Sequence, residues 1–226
     1  MGEVLALDPT QSHHLSSVLR AVTGDSIELV DGYGEIAIAT VQSIIGGIVE
    51  VAIHGKTQVS NSGRSVIHVA FGLTKSASVD FILRRCTEVG VSGFQPLNTA
   101  HSQRYSDWNS KRWEKIIIEV SKQCQQARFP TVNKPMDWRA FLANVTNEDQ
   151  LVVCDEAERK HSAQTLVGNK TWLLIGPEGG WSDSERADLA SRKTLSMGLG
   201  RNRLRAETAC LVGLTLLKNY LQEFNH

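Results

Sequence analysis

Residues 1–60 alternate short β-branched runs with turn residues. Ile27 to Val30, Glu35 to Ser43 and Ile48 to Ile53 read as strands, separated by Asp31-Gly32-Tyr33-Gly34 and Gly46-Gly47. Glycine pairs between β-branched runs are hairpin signals. Ahead of them, Leu15, Val18 and Leu19 give His13 to Arg20 a helical spacing. The pattern predicts a small barrel or half-barrel with one helix. Thr57 to Arg64 is polar and contains Ser60-Asn61-Ser62-Gly63, a natural boundary. Two domains are therefore expected, residues 1–62 and 63–226.

From Ser65 the pattern changes. Val66 to Phe71, Gly93 to Leu97, Leu151 to Cys154, Thr171 to Ile175 and Thr194 to Met197 are short apolar runs. Such runs suit strands buried on both faces. Val79 to Val89, Trp108 to Gln126, Asp183 to Arg192 and Ala206 to Phe224 have helical periodicity, with Trp113, Ile116, Ile117 and Val120 on one apolar side. Strands alternating with helices predict an α/β domain with a mostly parallel sheet.

Composition narrows the classes. At 41% hydrophobic residues the chain can build a real core, which excludes a disordered protein. Nothing near the start resembles a signal peptide, and no apolar run is long enough to span a bilayer. Cys86, Cys124, Cys154 and Cys210 are scattered without C-x-x-C pairs, which argues against a zinc site and a disulfide framework. Reduced, mostly buried thiols in a cytoplasmic protein are the expectation. The net charge of zero conceals an asymmetry: residues 1–63 carry two basic and seven acidic side chains, whereas residues 64–139 carry twelve and six. The middle third is the candidate surface for a polyanion, unless its charges simply coat solvated helix faces.

The chemistry concentrates after Thr171. Gly176-Pro177-Glu178-Gly179-Gly180-Trp181-Ser182 follows a buried strand and leads into a helix, with Ser182 and Glu185 at capping-box spacing. Turns at the carboxyl ends of strands in open α/β sheets are where ligands bind. The turn lacks the Gly-Lys-Ser/Thr of a P-loop and does not fit Gly-x-Gly-x-x-Gly. Glu178 would repel a phosphate, and Pro177 has no N–H to offer one. A nucleoside-like ligand without phosphates fits; a strand-to-helix turn with no ligand fits as well. Downstream, Met197-Gly198-Leu199-Gly200-Arg201-Asn202-Arg203-Leu204-Arg205-Ala206-Glu207-Thr208-Ala209 repeats the plan. Two such loops on one sheet can form two walls of one pocket. Glu207 could be a first-turn acid favouring the helix dipole, with Arg205 as its ion-pair partner.

Together, Gly176 to Ser182 and Leu204-Arg205-Ala206-Glu207-Thr208-Ala209 resemble the paired signature of the RsmE family. These are bacterial small-subunit ribosomal RNA uridine-N3 methyltransferases of the SPOUT superfamily. His13-His14-Leu15, Val18-Leu19-Arg20, Gly24-Asp25 and Asp31-Gly32-Tyr33-Gly34 resemble its N-terminal PUA-like domain. Thr87-Glu88-Val89-Gly90-Val91, Arg112-Trp113 through Glu119, and Gln123 to Pro130 resemble later stretches. The chain departs from the family's usual Gly-Pro-Arg-Ile-Leu-Arg at Gly200-Arg201-Asn202-Arg203-Leu204-Arg205.

The resemblance implies a PUA-like β-barrel followed by a SPOUT-type domain with a trefoil knot. It implies S-adenosylmethionine (SAM) as cofactor, held by Leu174, Ile175, Gly176, Pro177, Glu178, Gly179, Gly180, Leu195, Met197, Gly198, Leu199, Gly200, Leu204 and Ala209. It also implies a cytoplasmic homodimer acting on N3 of a uridine in 16S ribosomal RNA within the small subunit. Arg205 is the candidate to stabilise the anionic base, with Glu207 orienting it or taking the proton through water. Arg84, Arg85, Arg104, Arg112, Arg128, Arg201 and Arg203 are candidate RNA contacts, and Lys111, Lys115 and Lys122 are candidate phosphate contacts. No metal and no membrane is expected. A SPOUT enzyme acting on a ribose 2′-hydroxyl and a non-catalytic ribosome-assembly factor are the competing readings.

Overall fold

In the computed structural model, which describes residues 3–60, 65–103, 109–154 and 170–221, the chain divides into two compact units. One is Met1–Ser62 with Gln125–Arg128; the other is Gly63–Cys124 with Phe129–His226.

The hairpin at Gly46-Gly47 organises the first unit. It joins β3 (Glu35–Ile45) to β4 (Ile48–Gln58). Both glycines have positive φ, 59° and 82°, which a two-residue turn matched to strand twist requires. With β1 (Val4–Ala6) and β2 (Ser26–Val30) the sheet runs β1-β4-β3-β2, antiparallel throughout. Ala37, Ala39 and Val41 alternate inward from β3 and meet Val49, Val51 and Ile53 of β4. Leu7 and Leu15 complete this core. The expected single helix is an α-helix, α1 (Pro9–His13), running into a π-helical turn over His14–Val18. Asp8 caps α1 by accepting from the amides of Thr10 and Gln11. Buried Ser12 ties it to the sheet: its hydroxyl donates to the Leu7 carbonyl and accepts from the Val49 amide.

The second unit is a parallel sheet between two layers of helices. β5 (Ile67–Gly72), β6 (Gly93–Asn98), β7 (Thr131–Val132), β9 (Asp149–Cys154), β10 (Lys170–Ile175) and β11 (Thr194–Met197) lie in the order β11-β9-β10-β5-β6-β7. β8 (Met136–Asp137) also pairs with β6. All these pairings are parallel. Side-chain alternation along β10 feeds two cores. Leu173 and Ile175 join the core of α2 (Ser76–Glu88), α3 (Ser110–Gln123) and α6 (Ala206–Tyr220). Trp172 and Leu174 join Trp138, Phe141 and Leu142 of α4 (Trp138–Asn144) and Leu189 of α5 (Asp183–Ala190) on the other face. Trp113, Ile116, Ile117 and Val120 of α3 are buried as their spacing predicts. Each contributes roughly 1.5–3 kcal/mol.

Candidate active site

The site grows from the carboxyl ends of three adjacent strands. β10 ends at Ile175, and the chain turns through Gly176–Trp181 into α5. The turn closes with the Gly180 amide donating to the Pro177 carbonyl at 2.8 Å. Gly180 sits at φ +70°, a region costly for residues with a Cβ. Ser182 and Glu185 form the capping box that starts α5. β11 ends at Met197, and Gly198 to Arg205 lead into α6, with Arg205 at its N-cap. β9 lies between β10 and β11 and ends at Cys154.

These elements enclose one cavity of about 270 Å³. The loops are joined directly: the Arg203 guanidinium donates to the Glu178 carbonyl at 3.1 Å. A third loop, after β6, buttresses the glycine turn. His101 donates through Nδ1 to the Gly180 carbonyl at 3.1 Å; a carbonyl only accepts, so this bond fixes the proton on Nδ1. The buried Glu185 carboxylate accepts from the Ala100 and Ser182 amides, both at 2.8 Å.

Ten of the residues expected at the cofactor line this cavity: Ile175, Gly176, Pro177, Glu178, Gly179, Gly180, Leu199, Gly200, Leu204 and Ala209. Four do not. Leu174 points its side chain into the opposite core. Leu195 and Met197 pack into the core beneath β11, and Gly198 is buried beside them. Sequence reasoning missed Cys154, Trp181, Arg186, Asn202 and Ala206, which also line the cavity. Trp181, Asn202 and Ala206 adjoin or interrupt the residues chosen, so proximity could have flagged them. Cys154 is visible only through strand order. Burial pushes its thiol up to about 12, so it presents a neutral S–H. The charged lining is Glu178 against Arg186, Arg201 and Arg203.

Arg205 is exposed and Glu207 half-buried, and neither lines the cavity. Among the described residues no ion pair joins them. The other arginines divide. Arg84 is exposed on α2. Arg85 makes two bonds to Glu88, at 2.6 and 2.8 Å, and Arg112 bonds Asp80 and Ser76. Lys115 pairs with Glu119 at 3.9 Å. Arg201 and Arg203 lie at the cavity rather than on the helices. Arg128 belongs to the first unit, where its guanidinium lies 2.7 Å from where a Gly34 Cβ would stand. Arg104 lies outside the described residues. Among the described residues no cluster of three His, Cys, Asp or Glu could hold a metal, and no helix is long and apolar enough to cross a membrane.

Comparison with known proteins agrees with this geometry. Residues 61–218 match the RNA methyltransferase domain family and residues 7–53 the RNA methyltransferase PUA domain. The chain is 28% identical over 225 residues to the ribosomal RNA small subunit methyltransferase E of Synechocystis sp., covering 96% of this chain and 74% of that one. It is 28% identical over 219 residues to the Bacillus subtilis protein of the same name, covering 91% and 86%. A methyltransferase of Legionella pneumophila, solved with its bound cofactor SAM, superposes with a TM-score of 0.83 at 27% identity over 96% of this chain and 92% of that one. A PUA-like unit, a parallel α/β unit and two loops converging on one cavity thus occur in one chain, which belongs to the RNA methyltransferase domain family, in its small-subunit ribosomal RNA methyltransferase E (RsmE) group.

Proposed function

We propose that the chain is a SAM-dependent methyltransferase that modifies N3 of a uridine in 16S ribosomal RNA of the small subunit. The observation that carries this reading is the shared cavity: the β10 and β11 loops, which leave strands that are not neighbours, form its two walls. The lining suits SAM. Ile175, Leu199, Leu204, Ala206 and Ala209 offer apolar surface for a purine, and backbone groups of Gly176 to Gly180 lie within reach of its polar edge. Gly176 leaves little spare room, since a Cβ there would stand 3.3 Å from Trp181 Nε1 and 3.4 Å from the Gly180 backbone. Glu178 matches a cation without phosphates. When bound, SAM supplies an electrophilic methyl group on a sulfonium.

The protein's part is to position the base and favour its anion. Uracil N3 is protonated at neutral pH and attacks poorly until that proton leaves. Arg205, exposed at the start of α6, can place a guanidinium against a carbonyl oxygen where negative charge develops. Glu207 lies two residues on and can orient it or receive the proton through water. Holding base and methyl in line contributes on the order of 7–11 kcal/mol. The PUA-like unit, the exposed cations and the cytoplasmic setting belong to this reading as the means of engaging the particle. So do the trefoil knot and a homodimer. Leu211 and Val212 of α6 are half-buried apolar side chains outside the three cores, as a helix that meets a second subunit would have.

Calorimetry with S-adenosylhomocysteine, together with mass spectrometry of digested ribosomal RNA from cells lacking the protein, tests the proposal. Binding of the ligand and loss of 3-methyluridine are expected. Loss of a 2′-O-methylated nucleoside instead would move the acceptor to the ribose, and absence of ligand binding would remove the enzymatic reading.

A further inference from the structure

The two walls of the cavity leave strands that are not neighbours. β9 lies between β10 and β11, so the loops begin two strand spacings apart, roughly 9–10 Å. A long side chain crosses that gap. Arg203 Nη2 donates to the main-chain carbonyl of Glu178 at 3.1 Å, and both residues line the cavity. The bond is charge-assisted and ends on backbone. It therefore sets the position of one wall against the other.

We infer that Arg203 is a positioning residue for cofactor binding, acting through Glu178, and not the RNA contact its charge suggests. The inference rests on the reading of the cavity as a SAM site. Joining the loops before the ligand arrives removes part of the ordering cost that binding would otherwise meet. Glu178 then presents its backbone from a fixed place, while Gly200, at φ +111°, lets the second loop bend towards it.

The test uses the full chain. S-adenosylhomocysteine affinity is measured by calorimetry for wild type, Arg203→Ala and Arg203→Lys, and ribosomal RNA affinity is measured across a salt series. Arg203→Ala should weaken the ligand roughly tenfold or more, as loss of a charged hydrogen bond does. Arg203→Lys, which keeps a charged donor on a shorter reach, should recover part of the loss. The KM for SAM should rise while kcat at saturation stays near wild type, and the salt slope of RNA binding should not move. Equal ligand affinity in Arg203→Ala and wild type overturns the inference. So does a salt slope reduced by about one with ligand affinity intact, the mark of a phosphate contact. If Arg203→Ala fails to fold, Arg203→Met, which keeps the stem and removes both donor and charge, takes its place, and wild-type ligand affinity in that variant overturns the inference. Wild type that binds no ligand removes the cavity's assignment and this inference with it.

Discussion

Gly72→Ala adds one methyl group at a place where the fold leaves no room for it. Gly72 ends β5, beneath the glycine turn. A Cβ there would stand 2.5 Å from Pro177 Cδ, 2.8 Å from the Pro177 nitrogen and 3.0 Å from its Cβ. Ordinary carbon contacts are about 3.5–4.0 Å, so the turn must retreat by roughly 1 Å. Pro177 cannot swing aside: all three contacts are atoms of its pyrrolidine ring, one of them the backbone nitrogen, and the ring fixes φ. Overpacking of this kind costs about 1–3 kcal/mol. The same displacement moves Glu178 and Gly179, which wall the cavity. Urea unfolding should therefore show a lower midpoint at unchanged slope, and S-adenosylhomocysteine should bind at least tenfold more weakly. Gly55→Ala is the control, since nothing lies within 4 Å of a Cβ there and its φ is ordinary; it should be neutral or mildly stabilising. Wild-type stability and ligand affinity in Gly72→Ala would show that this close approach does not constrain the turn.

Other perturbations have equally definite outcomes. Glu185→Ala removes the acceptors of the Ala100 and Ser182 amides. At about 1.5–3 kcal/mol per charge-assisted bond, it should lower stability by roughly 3 kcal/mol or more in urea unfolding. Glu185→Gln should cost about half as much, and a loss below about 0.5 kcal/mol for the alanine variant would contradict the bracing role. Arg205→Ala should reduce kcat by roughly 100-fold or more while calorimetric affinity for S-adenosylhomocysteine stays unchanged; full turnover would remove Arg205 from the mechanism. His68 packs against Trp172, its ring tilted at 52° with centroids 4.9 Å apart, and its pKa is lowered to about 4, by burial first and then by Lys170. The unfolded chain takes up this proton near the ordinary value of 6.5, so stability is full above that pH and falls as pH drops towards 4. The loss reaches about 2 kcal/mol by pH 5. His68→Phe should flatten that part of the pH–stability curve, and an unchanged curve would refute the assignment.

Periodicity made most of the second unit legible. β11 has the bounds its apolar run predicts, and α3 is shorter than expected but buries the four residues chosen for it. α4 has seven residues, too few to show a period, and β7 and β8 have two each. The return of Gln125–Arg128 to the first unit leaves no local mark, because it is a contact between segments distant in sequence. In the site, the glycine positions were legible since their backbone needs are local. The face of Leu174 was not: a strand apolar on both sides carries no signal of which residue faces which layer. Cys154 and His101 reach the site through strand order and a neighbouring loop, neither of which a linear pattern encodes.

The charge distribution changes meaning once side chains are placed. Net charge made residues 64–139 the expected polyanion surface, yet Arg112 is paired with Asp80 and Arg85 with Glu88. Exposed pairs like these are worth little in stability, but each places a carboxylate beside the cation and so cancels part of the field that would attract a phosphate. Arg84, Lys111 and Lys122 remain exposed without an ion pair among the described residues. The β11 loop instead gathers Arg201, Arg203 and Arg205 within five residues beside the cavity. Residues 140–226 carry ten basic and eleven acidic side chains in all, a near-balance that masks the loop. A field that acts over about 8–10 Å is set by such local groupings more than by segment totals. Pairing and local grouping, not segment totals, therefore decide which cations can face a polyanion.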